Sequence, residues 1–161
     1  EYFRIEEWTY SYGTHAAHVA VDAETGLIEI LRYVVAEDVG RCINPLLTHG
    51  QSVGGAAQGI GGTILEELVY DSGGQLLAGT FMDYLLPTSR DIPPIDSIIL
   101  EEAPSPLNPL GAKGAGEGAI LATGATLANA VSDALADFGV NVTELPLSPD
   151  NIKRWIRESR P

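Results

Sequence analysis

The chain has 161 residues, 45% of them hydrophobic, and a formal net charge of −13. That is long enough for one domain with a sizeable core or for two small lobes, and too apolar for a disordered chain. The acidic balance excludes nucleic acid and anionic membrane surfaces as partners, because both need a basic face. One cysteine, Cys42, leaves no internal disulfide and no cysteine-rich zinc or iron–sulfur site within the chain. With no apolar run near the ~20 residues of a membrane helix and no visible signal peptide, a reducing, cytoplasmic setting is expected. The first residue is Glu1, not Met, and the chain opens in mid-element, which reads as a fragment or a processed piece of something larger.

An aromatic opening (Tyr2, Phe3, Trp8, Tyr10, Tyr12) leads into two expected strands, 15–22 and 27–36. The segment Asp22-Ala23-Glu24-Thr25-Gly26 has the composition of a short connection, so the pair reads as a hairpin. Leu27-Ile28-Glu29-Ile30-Leu31 is apolar enough to be covered on both faces. His15 and His18, three apart, fall on opposite faces of a strand and are expected to be structural rather than a shared metal site.

Asn44-Pro45 is an N-cap followed by proline at the first helical position. At about 100° per residue, Leu46, Val53, Ala57, Ile60 and Ile64 fall on one side of the helix, expected to be core. The other side carries Gln51, Gly54, Gly55, Gln58 and Gly62. Each glycine in a helix costs about 1 kcal/mol relative to alanine, so so many of them imply a close neighbour. That neighbour is either another element at a tight crossing or a ligand whose polar atoms are gripped by Gln51 and Gln58. Residues 66–70 and 75–77 around Asp71-Ser72-Gly73-Gly74 read as a second hairpin with solvated acids. A proline-rich crossover (Pro87, Pro93, Pro94) then precedes a candidate strand at 97–101.

Next comes the stretch that organises the chain, Gly111-Ala112-Lys113-Gly114-Ala115-Gly116-Glu117-Gly118-Ala119. Glycine is used where backbone takes φ > 0 or approaches another body closely, so something is expected to approach this loop with Glu117 facing it. Glu117 could equally be a first-turn acid at a helix entry. A dinucleotide loop is a poor match, because Pro104, Pro106 and Pro109 precede it where a central strand should be, and a carboxylate would repel pyrophosphate. From Ile120 a helical period runs through Leu127, Val131, Leu135 and Phe138 to Gly139. The segment 145–147 is the only linker-like piece, and Ser148-Pro149-Asp150 caps a last helix with Ile152, Trp155 and Ile156 as a docking stripe.

Gly13 and His15, Val21-Asp22, Thr25-Gly26, Val39-Gly40-Arg41, Ile43-Asn44-Pro45, Gly50-Gln51, Gly54-Gly55, Gln58-Gly59-Ile60-Gly61, Asp83-Tyr84, Lys113-Gly114-Ala115-Gly116-Glu117 and Asn129-Ala130-Val131 occur in this order. Together they resemble the C-terminal part of the molybdenum hydroxylase large subunit, the family of xanthine oxidase and aerobic carbon monoxide dehydrogenase. The resemblance implies an α+β fold, two β-hairpins in mixed sheets packed against two long helices, with 1–161 as the C-terminal portion of a molybdenum cofactor-binding domain. It implies Glu117 as the catalytic base, and Gln51, Gly54, Gly55, Gln58, Lys113, Gly114 and Gly116 as cofactor-binding, with no direct protein ligand to the metal. The cofactor would be molybdenum-molybdopterin, with the cytosine dinucleotide form as one option. FAD and 2Fe-2S clusters would sit on partner chains or domains, and the rest of the molybdopterin subunit and iron–sulfur and flavin subunits would be partners in a higher oligomer. The implied activity is hydroxylation of an electron-poor carbon (aldehyde, N-heterocycle or CO-type) with oxygen from water. Many members carry proline soon after the glutamate, whereas Gly118-Ala119 follows here, nearer to the carbon monoxide dehydrogenase-like members, which leaves the substrate open. The rival reading is a non-catalytic assembly or scaffold module of the same fold.

Overall fold

The computed structural model describes residues 4 and 7–159; Tyr2 and Phe3 of the aromatic opening lie outside the described residues. A three-stranded mixed sheet in the order β1-β2-β3 carries the helices on one face. Strands β1 (Tyr12–Val21) and β2 (Ile28–Asp38) form the expected hairpin, in register from Tyr12 opposite Asp38 to Val21 opposite Ile28, with a bulge between His18 and Val19. Its turn is closed by Asp22, whose Oδ1 accepts from the Glu24 and Thr25 N–H groups at 2.8 and 3.3 Å, while Gly26 N–H donates to the Asp22 carbonyl. Strand β3 (Ile95–Leu100) adds parallel to β2, from Ile95 beside Tyr33 to Leu100 beside Asp38.

Helix α1 (Pro45–Ile64) starts where the N-cap signal puts it, with Asn44 Oδ1 accepting from Leu47 N–H at 3.2 Å. Its buried positions are Ser52, Ala56, Ile60, Gly61 and Thr63; of the row that periodicity selects, Ile60 is buried and Ile64 packs on the core, but Leu46 is 81% exposed and Val53 also faces outward. Small residues win the inner face because α1 lies close to the next helices. A Cβ on Gly59 would stand 2.6 Å from Thr123 Cβ, and one on Gly55 would stand 3.3 Å from Ala119 Cβ.

Downstream of the glycine loop, the helical period is interrupted at Ala122. It divides into α2 (Gly118–Leu121) and α3 (Thr123–Ala134), followed by a 3₁₀ turn (Ala136–Phe138) that stops at Gly139. Leu127, Val131 and Leu135 are fully buried, as the period requires. They join Tyr33, Val35, Ala56 and Ile60 in one core that α4 (Pro149–Glu158) closes with Ile152 and Ile156. Ser148 caps α4, its Oγ accepting from Asn151 N–H.

Four local expectations give way. Leu27 and Leu31 are exposed, so the start of β2 is covered on one face only. The second hairpin is a turn held by one bridge, Tyr70 with Leu76, without extended strands. Glu66 is not merely solvated, since its Oε2 accepts from the Tyr84 hydroxyl. Segment 145–147 is no linker: Leu147 is a core residue, and its N–H donates to the Thr63 carbonyl at 2.7 Å.

The contrast along α1 gives a paired prediction. Gly62→Ala, at an exposed position with nothing within 4 Å of the added carbon, should raise stability by up to about 1 kcal/mol through helix propensity. Gly59→Ala should lower it despite the same propensity gain, because Thr123 is packed too tightly to yield. Denaturant midpoints that move the same way for both would show that the crossing is loose.

Candidate functional site

The glycine loop is laced to the end of β2 before it reaches Glu117. Lys113 N–H donates to the Val39 carbonyl at 2.9 Å, and the Gly111 carbonyl accepts from both Arg41 and Ser105 N–H groups. Asn108 closes the loop on itself, its side-chain amide donating to the Ala112 carbonyl and its Oδ1 accepting from Ala112 N–H. Gly40 and Gly111 both take positive φ (61° and 72°), and a Cβ on Gly40 would stand 2.2 Å from the Gly111 oxygen. This crossing therefore needs glycine for conformation and for space.

Beneath it, Lys113 Nζ lies 3.0 Å from Asp38 Oδ1, with the two side chains only 7% and 4% exposed. Asp38 is saturated: Oδ1 also accepts from Gly40 N–H, and Oδ2 from the Glu102 and Ala103 N–H groups. Burial pushes this carboxyl's pKa up, but the Gly40 N–H, the Lys113 ammonium and the Ala103 N–H outweigh it and hold it below the ordinary aspartate value. The ammonium also sits 4.0 Å from the centre of the Tyr12 ring. Lys113 is thus part of an internal brace.

Glu117 stands just past this brace, at the N-cap position of α2, exposed and with no side-chain capping bond. Glu117 therefore stands at a helix entry, but its carboxylate caps no backbone N–H and the helix that follows is four residues long. Gly116 beside it is open, with nothing within 4 Å of an added Cβ, and Gly114 is held by its N–H to the Thr9 carbonyl.

Helix α1 reaches the same place from the other side. Gly59 meets Thr123 and Gly55 meets Ala119, four residues back on each element. Gly55 is therefore occupied by packing. Gln51, Gly54 and Gln58 are exposed on the neighbouring surface, and Gly54 has nothing within 4 Å of an added Cβ. The loop thus exposes an unpaired carboxylate, and α1 exposes two primary amides and bare backbone, groups that suit a flat, hydrogen-bonding ligand.

Other candidates lie elsewhere. His15 Nδ1 is 2.9 Å from the Tyr33 hydroxyl, a satisfied structural histidine. A cleft of about 370 Å³ lined by Ile28, Ile64, Arg90 and Leu147 sits at the turn end of the β1–β2 hairpin, opposite to the end that Glu117 occupies. Two positions behind the loop, Asp38 and Glu37, were not singled out by sequence reasoning, since neither belongs to a motif of its own.

Comparison with known proteins places this geometry. The family profile for the molybdopterin cofactor-binding domain matches residues 4–93. The chain is 47% identical over 143 residues to the 6-hydroxypseudooxynicotine dehydrogenase complex subunit gamma of Paenarthrobacter nicotinovorans, covering 89% of this chain and 18% of that one. Among solved structures, quinoline 2-oxidoreductase from Pseudomonas putida 86 superposes with a TM-score of 0.88 at 47% identity, covering 92% of this chain and 19% of that one. A Cu,Mo-CO dehydrogenase in its carbon monoxide reduced state gives a TM-score of 0.93 at 29% identity, covering 99% and 20%. The chain thus spans about one fifth of the length of the proteins it matches.

The brace generates a stability prediction. Asp38→Asn leaves the Lys113 ammonium buried without its counter-charge and should cost about 3–5 kcal/mol in urea unfolding. Because the folded pKa of Asp38 is lowered, its stabilisation is fully present above the ordinary aspartate value and is lost as pH falls through the folded one. The variant should therefore show a flatter acid limb than wild type, and parallel limbs would contradict the brace.

Proposed function

Because the chain belongs to the molybdopterin cofactor-binding domain family, we propose that its open glycine and amide surface forms one wall of a molybdenum cofactor site, with Glu117 as the base of a hydroxylation carried out there. The observation that carries this reading is an exposed, unpaired carboxylate on a loop fixed from below, leading directly into α2, which packs on the helix that leaves Gln51, Gly54 and Gln58 exposed. The residues fit the group: molybdopterin is flat and rich in donors and acceptors, and Gly54 and Gly116 leave room for close approach. When bound, molybdenum-molybdopterin supplies the two-electron oxidation and the activation of a water-derived oxygen.

The chain's own part follows from its atoms. Gln51 and Gln58 orient the cofactor through amide hydrogen bonds, and the Gly114 and Gly116 backbone lets it approach. Glu117 takes up a proton on a carboxylate oxygen as the nucleophile forms and later releases it to solvent. Gly55 and Lys113 contribute from behind, by packing and by the ion pair.

The remaining assembly rests on the family. Two electrons leave the substrate in each turnover and Cys42 is the chain's single cysteine, so we assign the relay to FAD and 2Fe-2S centres on partner chains or domains. In this reading the cytosine dinucleotide form is one option for the cofactor, 1–161 is the C-terminal portion of its domain and the assembly is cytoplasmic. Among the described residues no helix is long and apolar enough to cross a membrane. The identity to relatives named for quinoline and 6-hydroxypseudooxynicotine, 47% in each case against 29% for the CO dehydrogenase structure, favours an electron-poor N-heteroaromatic substrate.

In the complete molybdenum-replete enzyme, Glu117→Gln should keep its metal content and lose roughly 10²- to 10⁴-fold in the rate at which substrate reduces the metal centre. Gln51→Ala should instead lower cofactor retention more than it lowers the rate per bound cofactor, since an amide orients but takes no proton. Wild-type single-turnover rates in Glu117→Gln would remove the base assignment.

A further inference from the structure

Behind the Glu117 loop lies a second carboxyl group that the proposed reaction does not use. Glu37 is 3% exposed, on the helix-facing side of β2 with Tyr33 and Val35, and its Oε1 is buried with no hydrogen-bond partner. That oxygen is aimed at the loop: a Cβ on Gly118 would stand 2.2 Å from it, with Ser11 Oγ at 3.1 Å from the same point. Glu37 is therefore packed against the backbone of the residue that follows Glu117. Across from it Ser52 Oγ, on the inner row of α1, is likewise buried and unpartnered.

A carboxylate oxygen left without a partner in such a place is unfavourable, which favours the neutral acid. Burial raises the pKa of Glu37 above the ordinary glutamate value, and the nearby Ser52 hydroxyl offsets this in part. Its surroundings supply no cation to reverse that. From β1 it meets Gly13, its register partner, and Ser11; from β3, Ile99 lies beside it in register; from α1, Ser52. The charged groups closest in the chain and loop are Asp38 and Lys113, already paired with each other, and Glu117 itself.

We propose that Glu37 is the positioning residue of the catalytic loop, a buried neutral carboxylic acid whose contact with Gly118 fixes where the Glu117 carboxylate stands. The Asp38–Lys113 brace holds the loop before residue 114, and Glu37 holds it after residue 117, so the base is fixed on both sides. Keeping Glu37 neutral also matters for charge, because a second carboxylate beneath Glu117 would resist ionisation of the base. The proposal rests on the reading of Glu117 as base.

The test uses the complete molybdenum-replete enzyme with Glu37→Met, Glu37→Gln and Glu117→Gln. Glu37→Met keeps volume and removes polarity, so it should fold and retain molybdenum. Displacing the base should then cost about tenfold to a hundredfold in kcat with little change in KM. Glu37→Gln, which mimics the neutral acid, should recover most of that loss. Two readouts do not depend on turnover. The infrared carbonyl band of a protonated carboxylic acid should be present at neutral pH and absent from Glu37→Gln. Between the ordinary glutamate value and the raised folded one, the native state keeps a proton that the unfolded chain releases, so wild-type stability should fall with rising pH and Glu37→Gln should lack that fall. Wild-type kcat in Glu37→Met, or no protonated band, overturns the proposal while a slow Glu117→Gln leaves the base assignment standing. A fast Glu117→Gln overturns the base assignment, and the catalytic role of Glu37 with it.

Discussion

The buried ion pair between Lys113 and Asp38 is the joint on which the rest of the site depends. The two residues are 75 apart in sequence and 3.0 Å apart in space, and they tie the glycine loop to the end of the central strand. A lone buried pair of this kind contributes little net stability, because desolvation of both ions offsets their attraction. Its value here is positional. Asp38 takes four hydrogen bonds, from Gly40, Glu102, Ala103 and Lys113, so one carboxylate fixes three segments of backbone at once. A loop built of glycines would otherwise have wide freedom, and it is fixed where an exposed acid must be presented in one orientation.

This division of labour explains the composition of α1. Its inner row is made of Ser52, Ala56 and Gly59 because α2 and α3 come close. Its outer row keeps Gly54, Gln58 and Gly62 open. The same helix thus uses small residues twice, once for internal packing and once for an open surface, and a side-chain count cannot separate the two uses. Leu46, Leu47, Phe81, Met82 and Leu121 are among the large apolar residues left exposed.

Much of the fold was legible because its signals are local. Asn44-Pro45 and Ser148-Pro149 mark helix starts through capping, Gly139 marks a stop, and Asp22 through Gly26 builds a turn within five residues. The break at Ala122 was not legible, since neither proline nor glycine announces it and apolar spacing continues across it. Leu46 and Val53 misled for a related reason: periodicity reports which face is apolar, not whether this chain covers it. At the site, the glycine pattern singled out the Glu117 loop and the Gln51 face of α1, and both residues are exposed. The partners that hold Glu117 in place, Asp38 and Glu37, come from a strand some eighty residues earlier, and only the fold reveals them. Lys113 was legible as special, but its role became clear only once Asp38 was seen beneath it.

The central claim is that this loop presents Glu117 to a molybdenum cofactor resting on the open face of α1. It is tested most directly by an experimental structure of the molybdenum-replete enzyme that contains this chain. The account predicts that a Glu117 carboxylate oxygen lies about 2.6–3.2 Å from a ligand of the metal or from bound substrate, with Gln51 on the cofactor and Lys113 still paired with Asp38. A structure in which protein side chains cover Gln51, Gly54 and Gln58, and the metal lies away from Glu117, would contradict it.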